Sequence, residues 1–457
     1  MKYLLSMTLL LAIGLQQIDA HGMMLSPPSR SSRWRYDGSA PQNWNDNELF
    51  CGGLYRCRGA KESVSVVEDF LMLATKYFYS IGVVPYESDE KPRFGLHLYL
   101  GFHVANLLFV WFTMMVFVVN SVRDNEDFLK ISMVVGYITF GNVGVLKILV
   151  VQLQKRKLTS LVQNLKSLFP QPNKGTHEDF DVEHYLRFSK LISKYFGRLY
   201  VAMIVINSAS SITQYAIQRW WLHSANVELT LPYVPLAPWN WRGSWTSWPT
   251  YLLQSTAAYT CTCGCLSADL MMFAVVMQVI MHFDRLAKAL REFDKRCSNG
   301  AEEDLNELRS LIVYHNQVLR LTSKMNDIFG VPLLLNFLNS SMLICNVGFQ
   351  LTIGISLEYI GRQVLIILSA LVEVYLICSL SQMLINASKN VSLAVYDMDW
   401  LEYDTKFRKM LVLVVMRAQK PVSLNAKAFL STVSMGTMTT FMQVSYKFFC
   451  AIRMMYQ

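Results

Sequence analysis

The chain has 457 residues, 53% of them hydrophobic and only 16% charged, with a mean hydropathy of +0.26. A typical soluble domain is about 25% charged, so composition alone argues against a soluble multidomain enzyme. The net charge of +9 points to nucleic acid or an anionic membrane surface until the charges are located, and nine cysteines scattered mostly through apolar runs exclude a disulfide-stapled secreted scaffold.

Residues 1–20 have the form of a secretion signal. Lys2 supplies the positive region, Leu4 to Leu15 the short apolar run, and Ala20 the small residue before a cleavage point. Cleavage there makes His21 the new N-terminus. Residues 21–55 are polar and rich in Pro and Asn, from His21-Gly22 through Pro27-Pro28 to Cys51-Gly52-Gly53. This stretch resembles the start of insect-type copper lytic polysaccharide monooxygenases, in which an N-terminal histidine offers its amine and ring nitrogen to copper. The β-sandwich and second histidine that such a site needs are missing downstream, since no run of short alternating strands begins after Arg56. The expectation is a truncated fragment joined by fusion or a faulty exon join to an unrelated domain, residues 56–457, with His21 a metal ligand only if the leader were functional.

That domain contains seven stretches of about twenty or more mainly apolar residues, the length a bilayer core demands of a helix. They are His97 to Val119, Ile131 to Gln152, Leu199 to Gln218, Thr250 to Met281, Val331 to Leu357, Gln363 to Ile385 and Ala428 to Cys450. The third is interrupted by Asn207-Ser208-Ala209-Ser210-Ser211, small and hydroxylated residues of the kind that close helix packing in lipid uses. The predicted fold class is therefore an all-α membrane protein of seven transmembrane helices.

The basic residues give the orientation. Lys plus Arg number nine, eight and seven in the loops after spans 2, 4 and 6, but two, two and one in the loops after spans 1, 3 and 5. The positive-inside rule places the first set, and hence the N-terminus, in the cytoplasm. The leader would deliver the N-terminus to the opposite side, a conflict that counts further against it. Charge gathered at membrane-flanking loops also makes the lipid bilayer, not nucleic acid, the partner of the basic residues.

Loop 3 holds six of the ten tryptophans, with Pro232, Pro235, Pro238 and Pro249. It reads either as an interfacial aromatic belt or as a lid over an external entrance. Loop 4 is helical in pattern: Leu286, Leu290 and Phe293 share a face, Ser298-Asn299-Gly300 interrupts, and Leu305, Leu308, Ile312 and Leu319 resume. Asp269 and Glu373 lie mid-span, where a structural polar contact or an ion site can accommodate them. Lys147 is placed to snorkel to the cytoplasm. Cys261, Cys263 and Cys265 alternate around a helix with no histidine nearby, which favours buried small residues over a metal site.

A family resemblance emerges from the C-terminal third. Tyr314-His315-Asn316-Gln317, Ile328-Phe329 and Cys345 before Phe349 are similar to the fourth loop and fifth span of insect odorant receptors. Tyr375 and Cys378, then Ser388, Ala394, Tyr396 and Trp400, resemble the end of the sixth span and the segment after it. Arg417, Pro421, Leu424 and Ala426, leading to Ser445-Tyr446, resemble the seventh-span signature, with Lys447 a departure where the family has a small polar residue. The likeness covers about Ser63 to Met455. It implies an odorant-binding subunit of a ligand-gated, non-selective cation channel, built with a shared co-receptor as a tetramer in the plasma membrane of olfactory sensory neurons. It implies no enzyme and no cofactor.

On that resemblance the seventh span lines the pore, with Tyr446, Phe449, Ile452 and Arg453 near its outer gate. The hydroxyls of Thr432, Ser434, Thr437, Thr439 and Thr440 suit either a wet path or close packing around Gly436. An odour site should be a concave aromatic pocket with one or two polar groups. Its candidates are Tyr137 and Phe140 in span 2, Ser211 and Tyr215 in span 3, Tyr251 and Tyr259 in span 4, and Phe349 and Thr352 in span 5. A transporter is the competing reading, although it would ideally show related halves with broken helices, and no such repeat is visible.

Overall fold

The computed structural model describes residues 66–87, 94–125, 128–170, 174–221, 223, 228–294, 301–353, 357–426 and 432–456, all within the unit Ser65–Gln457. The leader, and His21 with it, lies outside the described residues. Among these residues the chain is helical, without a strand. In order the helices are α1 (Val67–Tyr79), α2 (Phe94–Arg123), α3 (Phe128–Leu153), α4 (Lys155–Leu168), α5 (Lys174–Asp179), α6 (Val182–Ala216), α7 (Ser247–Asp294), α8 (Ala301–Ile353), α9 (Leu357–Tyr396), α10 (Thr405–Ala418) and α11 (Met435–Tyr456). Short π and 3-10 turns follow α6 and α9.

Among the described residues, α2, α3, α7, α8 and α9 are long and apolar enough to cross a membrane. The hydroxyl-rich α6 and α11 carry the third and seventh apolar stretches. Exposed Leu98, Phe102, Phe109, Phe112 and Val119 make α2 apolar on its outer side, a surface suited to lipid. By contrast α7 is apolar all round, and its most apolar stretch is buried on every side by α1, α2, α3, α6, α8 and α9.

Small residues bring α3 and α7 together. A Cβ on Gly144 would collide with the sulfur of Cys261, and one on Gly264 would sit 2.6 Å from Ile148 Cγ1. The three clustered cysteines serve this packing: all are buried, with Cys261 Sγ donating to the Phe140 carbonyl at 3.4 Å and Cys263 Sγ accepting from the Ser80 hydroxyl at 3.8 Å.

At about 1.5 Å per residue, the 48 residues of α7 and the 53 of α8 run more than twice the roughly 30 Å of a bilayer core. Their extensions form the helical loop 4 expected from the sequence. Leu286, Leu290, Phe293 and Leu308 are buried there, and Phe407 of α10 packs on Phe293 and stacks on Tyr403 with ring centroids 4.3 Å apart. Tyr185 of α6 donates a 2.6 Å hydrogen bond to Asp284, whose carboxyl burial pushes upward while that bond opposes the shift. His315, buried at the same end, is lowered to about 4 by desolvation and then by the charge of Arg417.

Lys147 does not snorkel. It is fully buried, its Nζ 2.9 and 2.8 Å from the two oxygens of Asp269 and 3.5 Å from Glu373. Asn336 donates to Asp269 at 2.8 Å and Tyr200 to Glu373 at 3.2 Å, so five helices meet at one polar knot. The lysine stays inward because two carboxylates lie within reach, which a snorkelled ammonium would leave bare in the core.

Candidate functional site

Beside this knot, α2, α3, α6, α7, α8 and α9 line a partly open cavity of about 90 Å³. Each wall follows from helix spacing. Leu107, Val110 and Met114 lie three and four residues apart on one face of α2, as do Met133, Gly136, Tyr137 and Phe140 on α3. Met203 and Asn207 come from α6, Gln254, Ala257 and Cys261 from α7, Asn346, Val347 and Gln350 from α8, and Gln363, Ile366 and Ser369 from α9. The lining is apolar and aromatic with a minority of carboxamides, the composition expected of a small-molecule site.

The cavity is roofed by loop 3. Gln254, 3% exposed, reaches up and fixes the loop backbone: its Nε2 donates to the Val234 carbonyl at 2.8 Å, and its Oε1 faces the amides of Tyr233 and Val234 at 3.3 and 3.4 Å. Tyr233 is thereby held edge-on to Tyr137, ring centroids 5.3 Å apart, with its hydroxyl 3.3 Å from Ser208 Oγ. Val234 is wholly buried. The tryptophans of the same loop behave differently, since Trp220, Trp221 and Trp245 are largely exposed. Loop 3 is thus divided: Trp220, Trp221 and Trp245 are exposed, Trp239 donates to Thr250 and stacks on Phe109, and the stretch around Tyr233 covers the cavity.

A second set of bonds stiffens the wall between α3 and α8. Asn346 Nδ2 donates to the Ser132 carbonyl at 2.9 Å, Ser132 Oγ donates to Asn346 Oδ1 at 2.6 Å, and Gln350 Nε2 donates to Ser132 Oγ at 3.0 Å.

Of the eight binding candidates read from sequence, Tyr137 and Phe140 line the cavity. Tyr259 points towards α1, donating to Ser80 Oγ at 2.8 Å, and Tyr251 donates to the Ser208 carbonyl at 2.9 Å behind the lid. Tyr215 lies edge-on to Trp248, and Ser211 and Phe349 are buried outside the cavity lining. The side chain of Thr352 lies outside the described residues. Sequence reasoning passed over Tyr233 and the carboxamides Asn207, Gln254, Asn346, Gln350 and Gln363. The signal of the carboxamides was available, because an amide in mid-membrane requires a partner.

Of the gate candidates on α11, Tyr446 and Arg453 are exposed and Phe449 is half-buried, its ring edge against Gly348 of α8. The Ile452 side chain lies outside the described residues. Lys447 is exposed on the same helix. Cys345 Sγ donates to the Ser445 carbonyl at 3.4 Å, and Phe337 packs edge-on to Phe441, so α11 is held chiefly through α8 and α9.

A family model described as 7tm Odorant receptor matches residues 127–446. The chain is similar to odorant receptor 67a of Drosophila melanogaster, 44% identical over 400 residues that cover 87% of this chain and 98% of that relative. It is similar to odorant receptor 85b of the same species, 33% identical over 85% of this chain and all of the relative. Among solved structures, the insect olfactory receptor OR5 from Machilis hrabei in complex with eugenol aligns over 85% of this chain and 97% of its own, with a TM-score of 0.73 at 14% identity. That likeness is one of fold.

Proposed function

The chain belongs to the insect odorant receptor family, and from that membership we propose that it is the odorant-binding subunit of a ligand-gated, non-selective cation channel assembled with a shared co-receptor. Its place is the plasma membrane of olfactory sensory neurons, crossed seven times with the N-terminus inside. The observation that carries the binding role is the roofed, mainly apolar cavity between six helices. OR5, of similar fold, is captured with eugenol, a small aromatic molecule.

Size bears on how the site fills. An engineered cavity of about 150 Å³ takes up benzene, so a one-ring odorant enters this space of about 90 Å³ only as side chains or the lid move outward. Binding therefore favours a state in which the cavity is wider, and any conformation that shares this widening gains population. The proposed conduction path follows α11, with Tyr446, Phe449, Ile452 and Arg453 near its outer end. Residues 1–55 are proposed to be foreign to this activity: the 400 matched residues already cover 98% of odorant receptor 67a.

Expression of the chain with the co-receptor should give odour-evoked cation currents that survive block of G proteins. Responses lost on that block, with no direct conductance, would overturn the channel reading. Antibody access on intact cells to a tag after Gln457, but not to one at Asn299, tests the orientation.

A further inference from the structure

Resting on the odorant-binding reading, we infer that Gln254 is the latch of the lid: odorants enter and leave the cavity beneath loop 3, at a rate set by release of this one side chain. The inference comes from the fit between carboxamide and loop. Gln254 is buried and lines the cavity from α7, yet its hydrogen bonds go to the loop. Nε2 donates to the Val234 carbonyl at 2.8 Å, and Oε1 accepts from the amides of Tyr233 and Val234 at 3.3 and 3.4 Å. A carbonyl only accepts and a backbone amide only donates, so whatever holds this stretch must offer both a donor and an acceptor at one reach. A carboxamide on a two-methylene stem does so, and the same pairing fixes which way round it sits.

The stretch it holds is built to move as one piece. Tyr233 and Val234 lie between Pro232 and Pro235. Proline has a fixed φ and no N–H, so these four residues are stiff, and the two amides facing Gln254 are the only ones they possess. Downstream, Trp239 donates to Thr250 at 2.8 Å and stacks on Phe109, which keeps that end of the loop tied to α7 and α2 while the latch opens. Without the carboxamide, Tyr233 rests on its edge-on contact with Tyr137 and its hydroxyl 3.3 Å from Ser208 Oγ, ties made through a side chain that can rotate away.

A latch and an odorant contact leave different kinetic marks. Removing a group that touches the odorant speeds departure and leaves arrival nearly unchanged, since most such effects fall on the dissociation rate. Removing a latch raises both rates, because one opening serves entry and exit, and the half-maximal concentration moves less than either.

The test records currents from the full chain with its co-receptor under fast odour exchange, using a panel of volatile one-ring compounds that includes cyclohexanone and eugenol. Gln254→Met matches the length without the carboxamide, and Gln254→Asn falls one methylene short of the loop. At sub-saturating concentration each should raise both onset and washout rates by about tenfold, the order expected for one good hydrogen bond and two long ones, with the bulkiest compounds gaining most. Tyr259→Phe, on the same helix but turned to α1, should change neither rate. Faster washout with unchanged onset would make Gln254 an odorant contact, and unchanged rates in both variants would place entry between the helices. Either result overturns the inference, as would variants that stay silent or fail to reach the surface. Silence of the unaltered complex towards the whole panel, with its presence at the surface verified, would instead count against odorant gating itself.

Discussion

Replacing Lys147 by methionine keeps the length and apolar stem of the side chain and removes only its charge. In the native fold the ammonium is 0% exposed, chelated by Asp269 at 2.8 and 2.9 Å and reached by Glu373 at 3.5 Å. Without it, two carboxylates lie in the membrane interior with only the neutral donors Asn336 and Tyr200 beside them. Breaking one buried ion pair by removing a partner costs about 3–5 kcal/mol. Against a stability of about 5–15 kcal/mol, and at about 1.4 kcal/mol per factor of ten, the folded-to-unfolded ratio should fall by roughly a hundredfold to several thousandfold. The assay is surface expression together with thermal unfolding of the solubilised receptor. The triple variant Lys147→Met, Asp269→Asn, Glu373→Gln removes all three charges and should recover most of the loss, as buried pairs replaced together often do. Wild-type expression and unfolding temperature for Lys147→Met alone would refute the reasoning.

Tyr233→Ala should open the lid without disturbing the helix core: larger odorants gain access and currents decay faster on washout, while an unchanged size cut-off would show that the tyrosine does not gate access. His315 should make the helical extension of α7 and α8 acid-sensitive. Burial lowers its folded-state value to about 4 from 6.5, so the unfolded chain takes up a proton first, and the stability contributed above pH 6.5 is lost as pH falls towards 4. His315→Gln should flatten the difference in unfolding temperature between pH 7 and 5, and identical pH profiles for the two proteins would count against it. On the proposed pore helix, Phe449→Ala should alter ion selectivity or blocker sensitivity without changing odour preference, whereas Lys447, exposed on the same helix and proposed to face a neighbouring subunit or the outer interface, should leave conductance nearly unchanged as Lys447→Ser. A several-fold rise in current for Lys447→Ser at equal surface level would place that lysine facing the ions.

Features that depend on neighbours along the chain could be read before the structure. Helix positions follow from runs of apolar residues, and the amphipathic loop 4 from the spacing of Leu286, Leu290, Phe293 and Leu308. The polar knot was not legible, because Lys147, Asp269 and Glu373 come from three helices and each has an ordinary local explanation. Lys147 near a helix end reads as a snorkelling residue until α7 is seen to block its route and offer a carboxylate. The cavity was half legible. Tyr137 and Phe140 declared themselves as aromatics on one face of α3, but weighting aromatics over amides drew in Tyr251 and Tyr259, whose rings face the lid and α1. Tyr233 was hidden by its setting, since a loop crowded with tryptophan and proline does not show which ring turns inward.

The placement of α8 between the cavity and α11, the proposed pore helix, gives a route by which one would be felt at the other. Over a single stretch, Leu343, Asn346, Val347 and Gln350 present to the cavity, while Cys345 and Gly348 on the other side of the helix meet Ser445 and Phe449 of α11. The contact at Gly348 is tight, because a Cβ there would lie 3.1 Å from the Phe449 ring, so little rotation of α8 is absorbed as slack. The opposite wall is less free to move, since α7 is packed on every side and pinned to α3 through Lys147 and the Gly144 contact. An odorant that needs more room than the cavity provides therefore loads the seam between α3 and α8, which is tied by Asn346, Gln350 and Ser132. Interfaces of packed helices respond to such a load by stepping between discrete arrangements, not by gradual deformation. On the proposed function, a shift of α8 relative to α3 at Ser132 would be transmitted to Phe449 through the tight contact at Gly348, which would link filling of the cavity to the outer end of the proposed conduction path.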